Sequence, residues 1–376
     1  MRNLLVGNGI NCHFDNVSYS SKQIVLRILK NVHRSDFPMS IIADPPYALK
    51  DYLGLLFIKA KEVVSGGFDR FAVSSAEKES IRAFKEKYSD NFQYLRMTDI
   101  CFEDYYLLHD ICCHSIGVGN PDMYVIREAM RLAYLYAIYN DGKLNDLYKQ
   151  YPPALSGFLN SFDCIFTTNY DLNIEQVVDC DVIHLHGQFD RLSDVYNENS
   201  LRNKLPDAPI RDTTVDSNYM FLYCNAITTH SGAYKEFMIQ QNSTANECIN
   251  KMAEAYKQNP ESRKTIESWI YDDNKLITNL GYAIRLKATN PDVSFTEQYD
   301  YDSFKSVSGE LIMLGISPWN DLHLFRTINA SGIERCTYYY WDEEDCTTVK
   351  SLLCSLCEAG KLVFESAKEF WRGMEN

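Results

Sequence analysis

With 376 residues and 45% hydrophobic side chains, the chain can build two domains, or one large domain with an insertion, and disorder is not its default. Lys plus Arg number 37 against 51 Asp plus Glu, and the net charge of −14 disfavours direct nucleic-acid binding, which needs basic patches. No run of about 18 apolar residues is present to span a membrane, and Met1-Arg2-Asn3 leads into a first strand with no signal peptide visible, so a soluble, cytoplasmic protein is expected.

Residues 3–6 read as a first strand, followed by the turn Gly7-Asn8-Gly9-Ile10-Asn11. Helical patterns then dominate to about residue 160. Ser21 precedes an amphipathic run carrying Ile24, Val25, Ile28, Leu29 and Val32 on one face. Residues 47–64 form a second apolar-rich helix stopped at Gly66-Gly67, and Ser74 with Glu77 forms a capping box for a charged helix to Tyr88. Asn120-Pro121 is an N-cap and first-turn pair for a long helix through Tyr139, ended by Asn140-Asp141-Gly142. The sheet resumes with strands at 164–167 and 182–186, and residues 172–178 fit a short crossover helix. Residues 206–216 read as loop, 219–223 as strand, and 244–258 and 261–286 as helices. Strands at 310–315 and 335–341, a helix at 346–359 and a short strand at 361–364 before a terminal helix complete the chain.

Strands alternating with helices predict an α/β fold, a Rossmann-like, mostly parallel sheet with a large helical insertion. Residues 1–17 and 161–345 are expected to make the sheet domain, with a partly helical excursion over 190–305. Residues 18–160 are the insertion, and 346–376 an extension that completes the domain. The 12 cysteines lack zinc spacing: Cys354 and Cys357 form a lone Cys-x-x-Cys, and adjacent Cys112 and Cys113 suit neither one metal nor one disulfide. Reduced, mostly buried cysteines are expected, with no bound metal.

Candidate chemistry gathers where the strands meet their loops, since ligands of open α/β sheets lie outside the carboxyl ends of strands. Gly7 and Gly9 can let backbone N–H groups approach a pyrophosphate, or can simply make a tight turn. Thr167-Thr168-Asn169-Tyr170-Asp171 ends the second strand; its Asn and Asp suit a ligand or an Asx-type cap. In Val182-Ile183-His184-Leu185-His186-Gly187, alternation puts both histidines on one face. His184 reads as a satisfied core histidine, His186 as a base that titrates near neutrality, and the pair as a weaker zinc candidate. Gly315-Ile316-Ser317-Pro318-Trp319-Asn320-Asp321 is a late loop in which Asn320 or Asp321 can cap a helix. Trp341 can stack on a base, but burial among strand aromatics is the expectation.

Taken together, the glycine turn, the Thr-x-Asn-x-Asp strand end, the His-Gly strand end and the late Gly-x-Ser turn resemble the sirtuin superfamily of NAD-consuming proteins. The four motifs stand in family order and bracket residues 1–345. The resemblance implies that Asn169 orients the nicotinamide ribose and a water, and that His186 is the general base. It implies NAD contacts from Gly7, Asn8, Gly9, Ile10, Asn11, Thr168, Asp171, Gly315, Ser317 and Asn320, with Asn11 and Asp15 near the nicotinamide pocket. The Pro-x-Phe-Arg element and the four-cysteine zinc module of deacylating sirtuins are not recognisable here. The pattern is closer to NADase effectors of bacterial anti-phage defence, which deplete NAD on infection. That likeness implies NAD as substrate without a metal, homo-oligomers, and a phage-derived trigger or a ring-shaped ATPase as partner. A protein deacylase, a non-catalytic NAD or ADP-ribose sensor, and an abortive-infection protein of another family sharing the Gly-Asn-Gly start remain as alternatives.

Overall fold

The computed structural model describes residues 1–120, 122–208, 215–229 and 233–375. Pro121, expected in the first turn of a helix, and residues 209–214 of the expected loop lie outside them. Six strands form one sheet: β1 (Arg2–Val6), β2 (Cys164–Thr167), β3 (Val182–His184), β4 (Ser308–Leu314), β5 (Gly332–Tyr340) and β6 (Leu362–Ser366). Their order is β3-β2-β1-β4-β5-β6, and every pairing is parallel. The fold is therefore α/β, with a Rossmann-like sheet and a helical insertion between β1 and β2. No described helix is long and apolar enough to cross a membrane.

The strands are short apolar runs because both faces of the sheet are covered. On one face Leu4, Val6, Ile165, Ile312 and Leu314 join Leu155, Leu159, Phe370 and Trp371 in one buried cluster. Phe166 meets the Phe304 ring and Tyr338 meets Phe325 elsewhere in the sheet. The insertion contributes helices Ser21–Asn31, Tyr47–Val64, Ser75–Tyr88, Asp104–Ile116 and Asp122–Tyr139. Ser21–Asn31 packs on Asp122–Tyr139, and Tyr47–Val64 on Asp104–Ile116. The capping box at Ser74 and Glu77 is present with both of its hydrogen bonds.

The chain divides into two compact units: Met1–Leu185 with Ile227–Glu236 and Asp302–Asn376, and His186–Ala226 with Phe237–Tyr301. The first holds the sheet. In the second, Ala253, Tyr256, Ile266 and Ile284 form one small core, and Leu201, Leu205, Ile249, Ala283 and Val293 another. The buried Asp194 carboxylate there accepts hydrogen bonds from Ser200, Asn242, Thr296 and the Glu297 backbone.

Several local expectations change. Residues 172–178 are not a helix but a turn over 173–177, since Asp171 Oδ1 accepts from the Asn173 backbone and diverts the chain. Residues 217–223 form a 3-10 helix opened by the Asp216 side chain, so 219–223 is not a strand. The helix expected over 244–258 begins at Ala233, and the one expected over 261–286 is two helices, Pro260–Trp269 and Lys275–Thr289, the second capped by Asn274. All 12 cysteines are free, but Cys248, Cys354 and Cys357 are exposed rather than buried. Trp341 is 54% exposed, not packed among strand aromatics.

At the β1–β4 junction two loops touch backbone to backbone. A Cβ on Gly9 would lie 2.4 Å from Gly315 Cα, and one on Gly7 2.5 Å from Gly315 O. Gly315 itself has φ +69°, which favours glycine. Gly9→Ala is expected to lower the unfolding free energy by roughly 1–3 kcal/mol, as overpacking does. Gly157→Ala, with open space in a helix, should raise it by about 0.5–1 kcal/mol. Denaturant titrations of the two variants should move in opposite directions.

Candidate functional site

The strand ends are in register. Val6 pairs with Thr167 and Leu314, Thr167 with His184, and Leu314 with Tyr339. The loops carrying Gly7–Asn11, Thr168–Asp171 and Gly315–Asp321 therefore leave the same edge of the sheet. The strand order reverses between β1 and β4, which is where open α/β sheets place ligands.

Thr167 is the hinge of the central loop. The Thr168 N–H donates to Val6 O (3.0 Å), tying this loop to β1. The Asn169 N–H donates to Thr167 Oγ1 (3.1 Å), and the Asn169 carbonyl faces His184 Nδ1 at 2.8 Å. The backbone of Asn169 is thus fixed on both sides. Its side chain is different: Asn169 is 5% exposed, and neither Oδ1 nor Nδ2 finds a partner among the described residues. An unsatisfied buried amide costs about 1–3 kcal/mol, so native proteins rarely keep one without a reason.

Asp171 anchors the surroundings. Its Oδ2 accepts from Asn11 Nδ2 (2.7 Å), and its Oδ1 accepts from Asn173 Nδ2 (2.6 Å). Burial pushes the Asp171 carboxyl upward, with these amides pulling the other way. Asn11 Oδ1, Tyr151 Oη and Glu175 Oε2 are also buried without partners among the described residues. Tyr151 feels the charges of both Asp171 and Glu175, so these unpaired atoms share one neighbourhood.

Of the two parts open to the glycine turn, its hydrogen bonds fit the tight turn. The Gly7 N–H donates to Leu314 O and the Gly9 N–H to Gly315 O, both at 3.0 Å. Those donors are spent within the fold, and the glycines serve close packing. The Asn8 side chain reaches Tyr19 O (2.9 Å), and Ile10 is fully buried in the sheet cluster. Ser317 Oγ accepts from the Trp319 N–H, Asn320 is half-buried, and Asp321 does not cap its helix through its side chain.

Strand β3 ends at His184, so His186 is not a strand residue. The Leu185 N–H still donates to Thr167 O (2.8 Å), and the chain leaves the sheet unit one residue before His186. His186 is 2% exposed and opens the second unit. Next to it, Gly187 has φ +83°, and a Cβ there would meet Asn225 O at 2.3 Å. His184 is the satisfied histidine expected: its Nε2 faces Glu175 Oε1, which leaves neither ring nitrogen for a metal.

Sequence reasoning missed Glu175, His184 as a partner of Asn169, and a buried ion trio. Lys235 Nζ lies 2.9 Å from Glu103 Oε1 and 3.3 Å from Asp321 Oδ1. The trio pins residues 227–236 to the sheet unit, helped by Tyr170 donating to Ile227 O, Tyr106 bonded to Thr228, and Arg127 donating to Asp110 and Thr229. Sequence separations of 86 and 132 residues hide such pairs from any local pattern. Matched against protein-family models, curated proteins and solved structures, the chain gives no match.

Burial raises Glu103 to about 7, with Lys235 opposing and Asp321 adding to the rise. A carboxyl raised from 4.5 contributes stability below that pH and loses it as pH climbs through about 7. Lys235→Met strands two buried carboxylates and should cost roughly 3–5 kcal/mol. Glu103→Gln leaves a neutral Lys235–Asp321 pair, so its deficit against the parent should be smaller and should shrink from pH 5 to pH 8. Urea denaturation at the two pH values checks both.

Proposed function

We propose that this chain hydrolyses NAD+ to nicotinamide and ADP-ribose. The observation that carries the reading is the Asn169 amide, buried and unpaired among the described residues at the carboxyl end of β2. An amide both donates and accepts, which is what a ribose diol requires. Asn11 Oδ1 and the Asp171 cluster supply further polar atoms around it. The sirtuin-like order of the motifs, with loops from β1, β2 and β4 at one sheet edge, supports NAD as the ligand.

In this reading Asn169 orients the ribose next to nicotinamide and a water. The C1′–N bond breaks, its electron pair neutralises the pyridinium, and water adds at C1′. Its proton goes to a base, for which His186 is the candidate by sequence motif. Ser317 and Asn320 face the adenosine portion, and no metal takes part. The same resemblance extends to a role as a defence effector that depletes NAD on phage infection. Homo-oligomers and a separate trigger or ring ATPase would then govern activation.

The test is nicotinamide release by the full chain, alone and in lysate from infected cells. Release that falls at least 100-fold in both Asn169→Ala and His186→Ala is expected, in the range that loss of a base or orienting group commonly produces (about 10²–10⁴). NAD binding without release under any trigger would contradict the hydrolase and favour a sensor; release only with an acyl-lysine peptide would favour a deacylase.

A further inference from the structure

We infer that Glu175 and His184 form a positioning pair that holds Asn169 in place, with His184 kept as an imidazolium. The inference deepens the reading of Asn169 as a ligand contact and rests on it. His184 closes β3 and is 7% exposed. Its Nδ1 faces the Asn169 carbonyl at 2.8 Å and its Nε2 faces Glu175 Oε1 at 2.5 Å. A carbonyl and a carboxylate both accept. A neutral imidazole has one N–H and serves one of them; the imidazolium serves both.

The surroundings favour the charge on the ring. Burial works against it, but the Glu175 bond and charge, the Asn169 carbonyl and the Asp171 charge outweigh that, and the ring titrates above the ordinary 6.5. Among the described residues, the charged groups that act most strongly on the ring are Glu175 on the turn after β2 and Asp171 on the loop before it, and Tyr151 adds a hydroxyl within the field of both. None of these is a cation.

The consequence follows from geometry. The Asn169 N–H is held by Thr167 and its carbonyl by His184, which aims the unpaired amide. A folded-state value raised above 6.5 gives a bond that is fully present below 6.5 and lost as pH climbs through the raised value. On the alkaline side one of the two bonds of His184 goes, Asn169 loosens, and ligand turnover declines.

The experiment is a pH titration of ring nitrogens by NMR on the full chain labelled at its eight histidines. The His184 ring is identified by its loss in His184→Gln, or through its backbone correlations if that variant does not fold. The expected result is two protonated nitrogens at pH 7, with a titration midpoint that Glu175→Gln lowers by about one unit, as loss of an adjacent charge does. The alkaline limb of nicotinamide release should move down with it, where a merely structural defect lowers release at every pH. A neutral ring at pH 7, a proton resting on Glu175 instead, or a limb that ignores Glu175→Gln overturns the inference. Absence of release in the parent protein counts against NAD hydrolysis, and the ring titration then decides the charge of His184 by itself.

Discussion

The backbone of residues 7–9 lies directly on that of residue 315, and the geometry of the sheet edge depends on that contact. With a Cβ on either side, the loops after β1 and β4 would be forced apart where the strand order reverses. Hydrogen bonds from Gly7 and Gly9 to Leu314 and Gly315 close the seam. Thr168 then bonds Val6, and Leu185 bonds Thr167, so each neighbouring loop is referenced to the same seam. The loops after β1, β2 and β4 are thus placed by backbone contacts rather than by flexible side chains, which is the rigidity a binding constellation needs.

Around that rigid edge the polar groups fall into two kinds. Asp171 and His184 are fully engaged with protein partners, and both act on the loop holding Asn169. The Asn169 amide and Asn11 Oδ1 are buried and unengaged among the described residues. Folding bears the cost of those unpaired groups, a cost that a polar ligand would recover under the proposed function. Elsewhere the fold spends charge on attachment: Lys235 joins Glu103 and Asp321 in a buried trio that fastens residues 227–236. Removing one member of such a trio costs more than its presence contributes, because the remaining charges stay buried.

The parallel sheet was legible in the sequence because buried strands such as Leu4-Leu5-Val6 and Ile312-Met313-Leu314 are unbroken apolar runs ending in glycine. The helix Tyr47–Val64 and the box at Ser74 and Glu77 were legible through periodicity and capping. Residues 172–178 read as a short crossover helix because they join two parallel strands, yet the Asx turn at Asp171 and Asn173 prevails locally. Alternation placed His186 on a strand that stops two residues earlier. The polar residues that end the strands could be picked out, but the contacts that each makes could not. That Gly7 and Gly9 spend their N–H groups on β4, and that Glu175 reaches His184 and through it Asn169, depends on contacts between segments far apart in the chain.

The central claim is that the unpaired Asn169 amide is a contact for the nicotinamide ribose of NAD. It is tested most directly by a crystal structure of the protein soaked with NAD under conditions that slow turnover. The account predicts ribose hydroxyls, of NAD or of the ADP-ribose product, within about 3.2 Å of Asn169 Oδ1 or Nδ2. NAD seated elsewhere, with the Asn169 amide still facing no ligand atom, would contradict it.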